Sequence, residues 1–354
     1  MPSVTRRYCE TIPLRSHLSL LGYPSDYGLE AAVWGETARR RPLAAAVPVR
    51  TPVERAGRLG KDECMTILGA VFLPQVPPER LRDVARSAEE AGLEELWLWE
   101  DCFRESGIAS AAAALAWTER LHVGVGLLPV PLRNVAVTAM EMATLHRLFP
   151  GRVKVGVGHG VQDWMGQVGA RVESPVTLLH EYLTALGALL RGEEVTTAGR
   201  YLNLDGVRLD WPPVTVPALL VGAGGPRSLR LSGQVADGTI LTGGTSPDGV
   251  RQARRHIDEG RLAASRSDSH SITVYVMAAT GLDAVRRLEA EQQSWGLDMT
   301  AEVGIAGNAE AMAEAVQRWA DAGADTVVLQ PTADDPDPEH FVRFVANEVR
   351  PLLP

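Results

Sequence analysis

Residues 65–101 read MTILGAVFLPQVPPERLRDVARSAEEAGLEELWLWED, and this stretch decides the fold. It opens on an apolar run of strand length that ends at a proline, which cannot continue a hydrogen-bonded ladder. The period then changes: Leu81, Val84, Ala85 and Ala88 fall at spacings of three and four, and Gly92 supplies a helix stop. A second apolar run, LWLW, follows at once. Strand, helix and strand in this order form a β/α unit and predict a parallel sheet.

Outward from there the alternation repeats. Strands are expected near 66–73, 94–99, 121–128, 152–157, 217–222, 238–242, 271–279 and 325–330, with helices between most of them, such as 134–147, 175–191, 226–236, 247–264 and 308–322. Eight strands with intervening helices predict an α/β protein of the (β/α)8 TIM-barrel type, with an open doubly wound sheet as the second choice. LHVGVGLL, PALLVGA and TVVLQ are apolar at nearly every position, as strands buried on both faces must be. EEVTTAGRYLNLDGVRLDWPPV departs from the pattern and reads as a two-strand excursion inserted between strands 4 and 5, with turns at Gly199 and Asp205-Gly206. Residues 1–64 carry scattered Arg and Pro without a sustained period. They read as a loosely ordered extension that the 65–354 barrel can dispense with, Met65 being a candidate natural start.

Bulk properties narrow the function. A formal charge of -9 argues against a general nucleic-acid or anionic-membrane surface. Cys9, Cys64 and Cys102 stand far apart with no CxxC pair, so neither a disulfide framework nor a zinc site is indicated. The histidines show no HxxxH or HExxH spacing, and no GxSxG elbow occurs, so no metal is expected. No run approaches the roughly eighteen apolar residues of a membrane span, and residues 1–20 lack a signal-peptide core, which together point to the cytoplasm.

In a barrel the chemistry sits just after the strands: Gln75, Glu100 to Cys102, Pro129 to Asn134, Gly158 to Trp164, Gly222 to Ser228, Thr242 and Gln330. GAGGPRS, residues 222–228, leads from a strand into a helix. Gly224, Gly225, Arg227 and Ser228 there either cradle a phosphate at the helix N-terminus or form a tight turn. KVGVGHG, residues 154–160, misses GxGxxG because Val161 replaces the third glycine. Its glycines allow a flat ligand to lie on backbone, and His159 is either a general acid or a histidine bonded within its loop. Asp101 contacts a ligand or caps the next segment, Cys102 reads as a small buried hydrophobe, and Trp164 and Met165 read as core.

Taken together, LGAVFLPQ, the acid closing LWLWED, GVGLLPVPLRN followed by AVTAMEMATLHRLFPGRVKVGVGHG, LLVGAGGPRSLRLSGQVADGTIL and AGADTVVLQP resemble the bacterial luciferase-like monooxygenase superfamily over about residues 65–350. HGVQDWMGQVGARVESPVTLLHEYL is similar to the branch that uses the deazaflavin coenzyme F420. The resemblance implies a luciferase-like barrel and an F420-dependent oxidoreductase moving a hydride to or from a small organic substrate at a C=C or C=O group. FMN-dependent monooxygenation is the alternative, and a non-catalytic flavin-binding protein a third. It further implies that Gly222, Gly224 and Gly225, supported by Arg227 and Ser228, hold the coenzyme phosphate, and that Asp101 approaches the polar edge of the ring. Gly126-Leu127 matches a non-prolyl cis peptide behind the ring, Gly158 and Gly160 match the fourth-strand loop, and a homodimer is the expected assembly. Sugar-phosphate dehydrogenases of this family carry a histidine and a glutamate where this chain has Cys102 and Val161, which argues against that substrate class and leaves His159 as the proton carrier. Lysine occurs only at Lys61 and Lys154, the arginine-dominated composition of high-GC coding sequences, where F420 is widespread.

Overall fold

A computed structural model describes residues 66–354. The expectations for the segment 1–64 and for Met65 as a start lie outside the described residues.

In chain order the elements are β1 (Ile67–Phe72), α1 (Leu81–Ala91), β2 (Glu95–Leu98), α2 (Gly107–Trp117), β3 (His122–Pro129), α3 (Val135–Leu148), β4 (Val153–Gly158), α4 (Gln162–Gln167) and α5 (Pro175–Leu190). They continue as β5 (Val195–Ala198), β6 (Asn203–Val207), β7 (Leu220–Gly222), α6 (Pro226–Val235), β8 (Gly238–Leu241), α7 (Pro247–Ala263) and β9 (Ser271–Ala279). The chain ends with α8 (Ala284–Ser294), β10 (Gly304–Ala306), α9 (Ala309–Asp321), β11 (Thr326–Pro331) and α10 (Pro338–Phe344).

Strands β1-β2-β3-β4-β7-β8-β9-β11 pair in parallel, and β11 returns to β1, closing an eight-stranded barrel. All eight expected barrel strands are present, and β5 and β6 form the expected antiparallel excursion between the fourth and fifth of them. Strand β10, paired with the far end of β9, was not anticipated.

Helix α1 buries Leu81, Val84, Ala85 and Ala88 and is capped by Gly92 at φ 79°, a left-handed conformation that costs glycine little. The strands are sandwiched. Their outward faces join the helices in one large core, while Val71, Trp97, Leu220, Ile240, Tyr275 and Val328 are among the side chains that fill the barrel. At the amino-terminal end of the interior, buried Glu95 pairs with Lys154 and accepts a hydrogen bond from Trp97 Nε1 at 2.8 Å. Among the described residues no helix is long and apolar enough to cross a membrane, and no group of three or more His, Cys, Asp or Glu side chains is placed to hold a metal ion.

Candidate active site

A cavity of about 730 Å³ opens at the carboxyl ends of the barrel strands, a volume in the range that encloses small-molecule ligands. The strand-end positions singled out from sequence converge there: Gln75, Asp101, Cys102, Gly126, Leu127, His159, Gly160, Gly222, Gly224, Gly225, Ser228 and Thr242 all line it. Gly158 and Arg227 do not. Arg227 is exposed on the first turn of α6, and Gly158 lies behind Leu127. Gln330 is fully buried near Gly243, and its side-chain amide has no hydrogen-bond partner among the described residues.

One wall is the β3 bulge. The β3–β4 register shifts between Val125 and Leu128, and the Gly126-Leu127 peptide is cis, as the resemblance implied. Cys102-Phe103 is a second non-prolyl cis peptide. Tyr275, buried in the barrel centre, donates from its hydroxyl to Gly126 O at 3.3 Å, and burial pushes its pKa well above the ordinary phenol value.

The alternating glycines of β4 have a different use from the one expected. A Cβ on Gly156 would overlap Ile240 Cδ1, and one on Gly158 would stand 2.6 Å from Leu127 Cδ2. These glycines make room for the neighbouring side chains of Ile240 and Leu127. Gly160, at φ 66°, turns the chain into the cavity rim.

At the opposite end, Gly225 caps α6 without a side-chain hydrogen bond, and a Cβ on Gly224 or Gly225 would meet nothing within 4 Å. The backbone of this helix end is therefore open to a ligand, and its dipole and free N–H groups favour an anion. Ser228 stands in the first turn with its Oγ 2.8 Å from His159 Nε2. His159 lines the cavity with Nε2 paired to Ser228 and Nδ1 buried. Burial lowers the pKa of His159, and the Pro175 backbone opposes that shift.

The two acids after β2 differ sharply. Glu100 receives two hydrogen bonds from Arg133, at 3.0 and 2.6 Å, and one from Gly107 N at 2.9 Å. It is committed to structure. Asp101, by contrast, has no side-chain hydrogen-bond partner among the described residues, and burial raises its carboxyl pKa above the usual range, with Arg104 opposing. The Cys102 thiol pKa is pushed up by burial and by Glu100 and Asp101, and the side chain is half-buried at the cavity wall, where the sequence reading had a small buried hydrophobe.

Trp99, Tyr275 and Trp295 complete the far wall, with Trp99 5.5 Å from Tyr275 and 6.3 Å from Trp295 between ring centroids. Trp295 had no local signal in the sequence because it follows α8, away from any strand end. Met165 is core, as expected, whereas Trp164 faces the cavity.

The sequence profile of a family described as luciferase-like monooxygenase matches residues 65–326. The F420-dependent glucose-6-phosphate dehydrogenase of Nakamurella multipartita is 30% identical over 304 residues, 76% of this chain and 83% of that protein. Among solved structures, an F420-dependent secondary alcohol dehydrogenase in complex with an F420-acetone adduct superposes with a TM-score of 0.73 at 22% identity, covering 82% of this chain and 99% of that one. An FMN complex of the oxygenating constituent of 3,6-diketocamphane monooxygenase from Pseudomonas putida superposes with a TM-score of 0.66 at 16% identity, covering 82% and 99%.

Proposed function

This chain belongs to the luciferase-like monooxygenase family, and from that premise we propose that it is an oxidoreductase that uses coenzyme F420 to transfer a hydride to or from a small organic substrate at a C=C or C=O group. One observation carries the reading: a single cavity joins an uncapped helix end, a bulge platform and a half-buried free acid. The residues fit the coenzyme. Open amides at Gly224 and Gly225 with the Ser228 hydroxyl suit its phosphate, and the Gly126-Leu127 bulge suits a flat ring. When bound, F420 supplies a carbon that gives or accepts hydride.

Each residue then has a task. Gly224, Gly225 and Ser228 bind the phosphate, with His159 orienting the Ser228 hydroxyl. Leu127 supports the ring, and Tyr275 fixes the bulge through the Gly126 carbonyl. Asp101, whose carboxyl pKa burial raises and which lines the cavity, delivers the proton that accompanies hydride. The aromatic wall excludes water.

The reading extends to a homodimer, supported by exposed Val137, Met140 and Leu148 along α3, and to action in the cytoplasm. FMN-dependent monooxygenation is the second reading, favoured by the fold shared with the P. putida FMN complex. Anaerobic turnover separates the two. Protein-dependent oxidation of reduced F420 by a carbonyl or alkene acceptor supports the first reading, while oxygen consumption driven by reduced FMN, with none of that F420 turnover, supports the second.

A further inference from the structure

The cavity's charges and rings select a class of substrate. With the helix end committed to the coenzyme phosphate and the bulge to its ring, the substrate is left the far wall of Gln75, Trp99, Cys102, Arg104 and Trp295. Arg104 is the only Arg or Lys side chain lining the cavity among the described residues, and its Nη1 donates to Pro74 O at 3.1 Å. It stands with Asp101 and Glu100, the latter already neutralised by Arg133. A phosphorylated or carboxylated substrate would therefore meet one cation flanked by two acidic side chains, and its desolvation would go uncompensated.

The rest of the wall is aromatic. The planes of Trp99 and Trp295 meet at 61° and those of Trp99 and Tyr275 at 59°, which leaves ring faces and edges available to a flat guest. Trp295 is anchored by Nε1 to Glu291 Oε1 at 3.0 Å, yet it is 40% exposed, and Val161, which also lines the cavity, is 47% exposed. A mouth that keeps large apolar side chains in water is built to be covered by an apolar ligand.

We propose that the substrate is an uncharged, flat and largely apolar carbonyl or alkene compound, aromatic or conjugated, that packs on Trp295 and Trp99, and that phosphorylated compounds are excluded. This rests on the assignment of the cavity as the F420 site. In the reducing direction the substrate double bond would be lost: hydride, with two electrons, from the reduced coenzyme would bond to its carbon, the Asp101 proton would go to its oxygen or neighbouring carbon, and Asp101 would recover a proton from solvent, which in turn takes up the proton left on the oxidised coenzyme.

Calorimetric titration of the F420-loaded protein with trans-cinnamaldehyde and with glucose 6-phosphate tests the proposal. Cinnamaldehyde should bind saturably, at least about tenfold more weakly in Trp295→Ala, with most of the loss restored in Trp295→Phe. Glucose 6-phosphate should give no saturable heat at millimolar concentration. Saturable glucose 6-phosphate binding, absence of cinnamaldehyde binding, or cinnamaldehyde affinity unchanged in Trp295→Ala would each overturn it. Coenzyme loading is measured first in the same calorimeter. Failure to bind F420 would refute the coenzyme reading, whereas Trp295-dependent cinnamaldehyde binding without coenzyme would still uphold the substrate class.

Discussion

Replacing Gly158 by alanine isolates the role of Leu127. The new Cβ would stand 2.6 Å from Leu127 Cδ2 and 3.2 Å from Cδ1, with Gly222 O at 3.3 Å on the other side. Carbon atoms rest about 3.5–4.0 Å apart, so the leucine methyl must retreat by about 1 Å or more. Leu127 is only half-buried and borders the cavity, so the free direction is into the space assigned to the coenzyme ring. Overpacking of this kind costs about 1–3 kcal/mol when neighbours cannot yield, and a leucine that can swing into a cavity places this variant at the low end. Coenzyme affinity carries the larger effect, a loss of about tenfold or more, corresponding to ~1.4 kcal/mol. Gly233→Ala is the control: its Cβ would overlap the Ile257 backbone carbonyl, which cannot rotate away, so stability should fall steeply at a site remote from the cavity. Thermal melts and F420 fluorescence titrations on both variants provide the assay. A Gly158→Ala protein that melts far below wild type, yet binds F420 normally once folded, would refute the assignment of Leu127 to the ring platform.

Three further outcomes are expected. Asp101→Asn should lower kcat for substrate reduction by about 10²–10⁴; because burial raises the pKa of Asp101, wild-type reduction should weaken as pH rises through that value and the deprotonated form accumulates, and the pH profile of kcat should show this limb vanish in the variant. His159→Gln should weaken F420 binding while changing kcat at saturating coenzyme by less than Asp101→Asn does, since its Nε2 partner is Ser228; titrations beside steady-state rates check the split. Arg133→Met should destabilise by about 3–5 kcal/mol in denaturant melts, because it strands Glu100 in a site where both partners are largely buried.

The barrel was legible because parallel strands covered on both faces must be apolar throughout, a signal that β9, with eight of its nine residues buried, carries strongly. The positions after the strands were legible for the same reason, and most of them do line the cavity. Direction was not. Which way His159 points depends on Ser228, 69 residues away, and no local spacing encodes that hydrogen bond. The glycines at 156 and 158 looked like a ligand bed, but only the packed barrel reveals Ile240 and Leu127 in the space they leave. Trp295 escaped notice because it reaches the cavity from the end of a helix, and α2 because GIASAAAALAW has too little contrast between its faces to mark a helical stripe.

The central claim concerns the coenzyme, and paired equilibrium titrations of the purified protein with F420 and with FMN test it most directly. The account predicts saturable F420 binding at least about tenfold tighter than FMN binding, lost in Gly225→Asp while the circular dichroism spectrum stays native, because that change sets a carboxylate where the open amides of α6 should meet the phosphate. FMN binding tighter than F420, or F420 affinity unchanged in a folded Gly225→Asp protein, would contradict it.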